Sequence, residues 1–109
     1  MKKLLFANPV FHQPSMQVTV RRGIKWAGYE NSKDEGVVEI WDAKEMFFSN
    51  GRIIKTQIMR FCDIPQYILL KEHDPNCLLL CDLKRAMLDV YSDFDDKEIV
   101  TIVYFQLIE

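Results

Sequence analysis

Short apolar runs, several of them alternating with polar residues, recur along the first half of the chain. Alternation with a period of two residues is typical of half-buried β-strands. The pattern predicts strands at residues 3–7, 16–22 and 36–42. The intervening segment 23–35 is polar and contains two glycines, so it predicts a loop.

The dipeptide Asn50-Gly51 gives the strongest local turn pattern in the chain. Stretches rich in apolar residues flank it at 46–49 and 52–58. Asn and Gly both adopt the positive φ that a type I′ turn requires. The two stretches therefore predict a β-hairpin whose turn is Asn50-Gly51.

Two helices are predicted after this hairpin. The first begins at residues 63–66, where Asp63 can cap the helix and Pro65 lies in its first turn, and it ends before Asp74. The second covers residues 79–91, because apolar side chains repeat there at helical spacing. These side chains are Leu80, Leu83, Met87, Val90 and Tyr91.

Residues 99–108 form a nearly unbroken apolar run. A run of this kind is typical of a strand buried on both faces, so we expect a central strand. Strands followed by two helices and a last strand indicate an α+β fold. The economical arrangement is a small, partly open mixed β-barrel of five to six strands, with two helices closing one side.

The length of 109 residues predicts a single domain over residues 1–109. The apolar run before Asn8-Pro9 is only four residues long, too short for the core of a secretory signal. The sequence has no run near the roughly 18 apolar residues of a membrane helix. We therefore expect a cytoplasmic protein without a membrane partner.

The formal net charge is −2, but the charges are unevenly distributed. Residues 1–60 hold ten Lys and Arg against six Asp and Glu, whereas residues 61–109 hold four against ten. An acidic balance argues against avid, non-specific binding of duplex nucleic acid. It leaves room for a small basic pocket that faces one phosphate, one nucleotide or a single-stranded segment.

The three cysteines, Cys62, Cys77 and Cys81, are odd in number and lack the spacing of a disulfide framework. Together with His73 they have a spacing that a zinc site could use. However, Pro75 interrupts a helix there, and the surrounding leucines are typical of a core. The sequence therefore predicts buried free thiols, with no metal and no cofactor.

Candidate functional side chains are most concentrated at residues 18–26, where three cations, a threonine and a tryptophan occur together. Arg21 and Arg22 are adjacent on a strand, so they point to opposite faces and only one can line a cleft. Either arginine could instead be a surface residue that keeps an edge strand from pairing with another chain. Trp26 could stack on a base or fill the core, and Lys25 could contact an anion. Trp41, in a strand pattern, is expected in the core.

The segment 71–74 is the densest run of titratable residues. His73 beside Asp74 is compatible with a general base oriented by a carboxylate. Adjacent residues at a helix end seldom make that contact, so we expect an exposed turn at the end of a helix.

The order of the elements resembles the ASCH domains of the PUA-like superfamily over nearly the whole chain. Residues 82–91 and 99–108 resemble the last helix and closing strand of these domains. Residues 19–22, Thr-Val-Arg-Arg, resemble the Thr-x-Arg of the family. The resemblance implies a barrel with a cleft between sheet and helices that is suited to RNA or a modified nucleoside.

Some small ASCH proteins are amidohydrolases that remove an acyl group from N4-acetylcytidine with a Lys, a Thr and a Glu. By resemblance, Thr19 matches the threonine, but Met16 stands at the lysine position. Another register supplies Lys25 in Gly-x-Lys and loses the threonine. The glutamate position falls near Asn76, and a shift reaches Glu72 or Asp74.

Three functions therefore remain open. The first is binding of RNA or a nucleotide-like ligand in a cleft whose candidate residues are Thr19, Arg21, Arg22, Lys25, Trp26 and Asp74. The second is an amidohydrolase acting on an acylated nucleoside, with catalytic candidates Thr19, Lys25 and Glu72. The third is a protein-interaction module without a ligand. The sequence leaves the oligomeric state open.

Overall fold

The computed structural model describes residues 1–11 and 15–108. It is an α+β fold in which a five-stranded mixed sheet curls into a half-barrel beside two α-helices. The strands are β1 (Lys3–Phe6), β2 (Gln17–Arg22), β3 (Val37–Asp42), β4 (Met46–Arg60) and β5 (Ile99–Ile108). The helices are α1 (Gln66–Leu69) and α2 (Leu80–Val90), and short 3-10 turns lie at Tyr29–Asn31, Phe61–Asp63 and Pro75–Cys77.

The strand order is β1-β3-β4-β5-β2, so β1 and β2 form the two edges. β1 runs parallel to β3, and the other three pairings are antiparallel. β5 lies between β4 and β2 and is buried from Val100 to Phe105. The prediction of a central strand buried on both faces is confirmed.

The sheet has a hydrophobic cluster on each face, because the period of two sends alternate side chains to opposite sides. One cluster joins Val18 and Val20 of β2 to the helices, through residues such as Leu83 and Met87. The other fills the inside of the half-barrel; it includes Leu4, Phe6, Trp26, Tyr29, Val38, Ile40, Ile53, Val103 and Phe105.

The predicted turn at Asn50-Gly51 is wrong. β4 runs through both residues, since Asn50 pairs with Glu39 of β3 on one side and Ile108 of β5 on the other. Pairing along both edges of β4 outweighs the local preference of Asn-Gly for a turn. The hairpin turn lies instead at residues 43–45. There Asp42 Oδ1 accepts from the Lys44 N–H at 2.9 Å, and Glu45 adopts a φ of 67°.

Both helices form near the predicted places. α2 confirms the helix expected over residues 79–91, and Leu83 and Met87 are its buried residues. α1 is a single turn of four residues, and Pro65, not Asp63, precedes it as the cap residue. Asp63 closes the preceding 3-10 turn instead.

All three cysteines are free thiols, but only one of them is buried. Cys77 is buried as expected, whereas Cys62 and Cys81 are exposed, which corrects the prediction of buried thiols for those two. Among residues 1–11 and 15–108, no three His, Cys, Asp or Glu side chains come together in a way that could hold a metal ion. In the same ranges, no helix is long and apolar enough to cross a membrane.

Candidate functional site

The half-barrel is open along a seam between its edge strands β1 and β2. Side chains span this seam. Arg21 of β2 donates from Nη1 to the Leu5 carbonyl of β1 at 2.5 Å, and Asn8 Nδ2 donates to Asp74 Oδ2 at 3.0 Å. Two adjoining cavities lie beside this seam. We call them together the seam groove; they share Leu5, Ala7, Val20, Arg21, Met87 and Val90.

The smaller cavity, of about 260 Å³, is the polar cavity. Thr19 and Arg21 reach it together because residues two apart on a strand share a face. Its other polar wall is the segment 71–73, which extends the sheet beside β2: Val18 N–H donates to the Lys71 carbonyl at 2.7 Å, and His73 N–H donates to the Val18 carbonyl at 2.9 Å. Six titratable side chains among the described residues line this cavity: Arg21, Glu72, His73, Asp74, Cys77 and Asp89.

Glu72 is buried, with 2% of its surface exposed. Burial raises the pKa of its carboxyl to about 8, while the Asp74 N–H and the Arg21 charge act in the opposite direction. A carboxyl with this pKa holds its proton over much of the neutral range. Perturbed groups of this kind in a cavity are typical of functional sites.

His73 contacts Glu72 directly, with 3.2 Å between Nε2 and Oε1. Its other ring nitrogen, Nδ1, lies 2.9 Å from the Val10 carbonyl, which can only accept. Nδ1 therefore carries the hydrogen, and Nε2 of a neutral ring accepts the proton of the Glu72 carboxyl.

Arg21 is the charged residue that lines both cavities. Its Nε donates to Thr19 Oγ1 at 3.2 Å, and its guanidinium lies 4.5 Å from the centre of the Phe6 ring. Burial lowers the pKa of Arg21 to about 10, so the group stays charged at neutral pH. A guanidinium held in this way can bind a phosphate or carboxylate that enters either cavity.

The larger cavity, of about 400 Å³, is the cationic cavity. None of the described residues that line it is acidic. Its charged lining residues are Lys3, Arg21, Arg22 and Lys25. Arg22 is already paired, with Nη1 3.1 Å from Asp93 Oδ1 and Nε 2.7 Å from Glu98 Oε1, so its charge is largely compensated. Both Arg21 and Arg22 line this cavity, so the prediction that only one of them can line a cleft is wrong.

The candidate residues divide between these cavities. Thr19, Glu72 and Asp74 line the polar cavity with Arg21, whereas Lys25 and Trp26 line only the cationic cavity. Lys25 is exposed. The structure therefore brings Thr19 and Glu72 together without Lys25.

Trp26 fills the core, and little of its ring is available to stack on a base. Only 5% of its surface is exposed, and its ring packs edge-on against Tyr29 at 5.3 Å. Of the two interpretations of Trp26, core filling describes its main contacts. Trp41, expected in the core, lies outside both hydrophobic clusters.

Sequence reasoning missed His73 as a site residue. The expectation of an exposed turn at 71–74 is wrong for Glu72 and His73, which are 2% and 7% exposed. The reason is long-range: the segment pairs with β2, and Phe6 packs edge-on against the His73 ring at 4.7 Å. No local pattern signals this pairing.

Comparison with known proteins finds a likeness among solved structures. Scans against family models and against curated proteins find no match. Among solved structures, the chain is similar to protein EF3133 from Enterococcus faecalis V583, described by the family model DUF984, with a TM-score of 0.55 and 14% identity. The match covers 84% of this chain and 60% of that one, so this chain spans less than two thirds of its neighbour. At this identity the likeness shows a shared fold.

Proposed function

We propose that the chain is an ASCH-type, PUA-like domain that binds RNA or a nucleotide-like ligand in the seam groove. The observation that carries this proposal is the arrangement of side chains along the groove. The cavity lined by cations adjoins the cavity lined by Thr19, Glu72, His73 and Asp74. A nucleotide has the matching polarity, with an anionic phosphate at one end and a base of donors and acceptors at the other. Cavities of this size are typical of small-ligand sites.

Arg21 and Lys25 are the phosphate contacts in this proposal. Arg21 is fixed by Thr19 and Leu5, so little entropy is lost when it binds an anion. Lys25 is exposed at the rim, where it adds long-range attraction that salt screens. Glu72 and Asp74 offer oxygens to the base.

Titration calorimetry with nucleoside 5′-monophosphates and the matching nucleosides tests the proposal. We expect the monophosphates to bind more tightly, Arg21→Ala to weaken them about ten- to a hundredfold, and Lys25→Ala severalfold. Lys33→Ala is the matched control, because Lys33 is exposed and lines neither cavity. Equal affinity for nucleosides and monophosphates, or an Arg21→Ala protein that folds and binds like the wild type, would count against the proposal.

A second candidate function is the removal of an acyl group from a nucleoside such as N4-acetylcytidine. One observation favours it: Thr19 and Glu72 line the same cavity, and Glu72 has a pKa near the neutral range. The Thr19 hydroxyl needs a base to become a nucleophile, and Glu72 or Asp74 would have to supply it, since Lys25 lies elsewhere. Incubation with N4-acetylcytidine decides the matter: acetate release that Glu72→Gln abolishes supports hydrolysis, and release no faster than the blank excludes it.

A further inference from the structure

The outer face of the sheet carries a row of apolar side chains across three strands. Leu5 of β1 pairs with Trp41 of β3, which pairs with Phe47 of β4. Cross-strand partners project to the same face, here away from Leu4, Phe6 and Ile40. Leu5 is 48% exposed and Phe47 51% exposed, and the Phe47 ring stands edge-on to Trp41 at 5.7 Å. We call Leu5, Trp41 and Phe47 the outer row.

The outer row begins at the seam groove. Leu5 lines both cavities, and Lys3 lines the cationic cavity while its Nζ lies 4.1 Å from the centre of the Trp41 ring. Glu39 accepts from Trp41 Nε1 at 3.0 Å and so fixes the indole. Phe47, two strands away from Leu5, lies about 10 Å along the face. A chain molecule seated in the groove can therefore reach Phe47 without leaving the protein surface.

We propose, on the basis of the proposed binding of a nucleotide in the seam groove, that the ligand is a segment of single-stranded RNA, with a neighbouring base stacked on Phe47 of the outer row. Every base has a π-face, and a half-exposed ring held edge-on by Trp41 offers it a flat partner. The cations beside the row match the charge of a phosphate backbone. The bases of a duplex are paired and stacked inside the helix, so they cannot stack on Phe47. The ligand must therefore be single-stranded.

Fluorescence anisotropy of a fluorescein-labelled RNA hexamer of mixed sequence, at fixed salt, tests this proposal. Phe47→Ala removes the ring, and Phe47→Leu keeps an apolar side chain without an aromatic face. We expect both variants to bind the hexamer about tenfold more weakly and to bind nucleoside monophosphates like the wild type. Ile58→Ala is the matched control, because Ile58 is 54% exposed on the same strand and lies outside the row.

The outcomes separate this inference from the function on which it rests. Weaker hexamer binding in both Phe47 variants, with Ile58→Ala unchanged, supports it. A hexamer that binds no more tightly than a monophosphate, or equally well to Phe47→Leu, overturns the stacking inference and leaves the groove proposal intact. A concentration-dependent dimer that Phe47→Ala abolishes assigns the row to a second copy and also overturns it. If neither the hexamer nor the monophosphates bind, the proposed function itself fails.

Discussion

The Glu72 carboxyl gives the sharpest prediction about this protein, because its burial couples folding to pH. Its pKa is raised from the usual 4.5 to about 8. Between those two values the folded protein keeps a proton that the unfolded chain has released. The free energy of unfolding should therefore fall as the pH rises, by about 1.4 kcal/mol per pH unit at most. This stability is fully present below pH 4.5 and is lost through pH 8.

The substitution Glu72→Gln tests this reasoning, because it keeps the size and hydrogen-bonding capacity of the side chain and removes its titration. The measurement is urea unfolding at pH 5, 6, 7 and 8 for both proteins. The difference in free energy of unfolding, wild type minus variant, should fall by about 3–4 kcal/mol across that range. Glu35→Gln, at an exposed position, should track the wild type throughout.

Parallel curves for wild type and Glu72→Gln would refute this reasoning. They would mean that Glu72 is ionised in the folded protein over the whole range. Glu72 could then only accept hydrogen bonds from a ligand.

Three further predictions concern the frame around the groove. Gly36→Ala should destabilise the protein by about 3 kcal/mol or more, because a Cβ there would lie 2.2 Å from the Ile53 carbonyl oxygen at a φ of +81°. Gly23→Ala, at a similar φ in open space, should cost only about 1 kcal/mol; equal costs in thermal unfolding would contradict the clash. Leu83→Ala should cost about 2–5 kcal/mol in urea unfolding, since Leu83 is 4% exposed in the helix-side cluster, and a loss under 1 kcal/mol would contradict that packing. Cys62 and Cys81 should react with a thiol reagent in the folded protein, and Cys77, whose pKa burial raises to about 12, should react only on unfolding; three equally fast thiols would contradict this.

The elements themselves were largely predictable because each depends on residues close in the chain. The helical spacing around Leu83 and Met87 places α2, and the apolar run from Ile99 to Ile108 places β5. The failure at Asn50-Gly51 shows the limit of such patterns. The turn preference of two residues is small beside the hydrogen bonds that β3 and β5 make along both edges of β4.

The candidate site was predictable in part. The cluster around Arg21 could be found, because cations, a hydroxyl and a tryptophan fall within nine residues of one strand and its following loop. The resemblance named Glu72 as a catalytic candidate, but the burial of Glu72 and His73 beside β2 could not be predicted, because it depends on a pairing between residues more than fifty positions apart. Trp41 illustrates the same limit: a strand pattern shows that residues alternate, but not which face meets a core.

By itself, the order of residues determined most of the segments that become strands and helices, and that Thr19 and Arg21 share a face, since both follow from local backbone geometry. Only the tertiary structure decided that β1 and β2 become the edge strands of the five-stranded sheet, with a seam tied by Arg21, Asn8 and Asp74. The burial that raises the pKa of Glu72 is likewise a property of the assembled fold. The physical reason is that burial and edge pairing depend on contacts between segments distant in the chain, which no local pattern specifies.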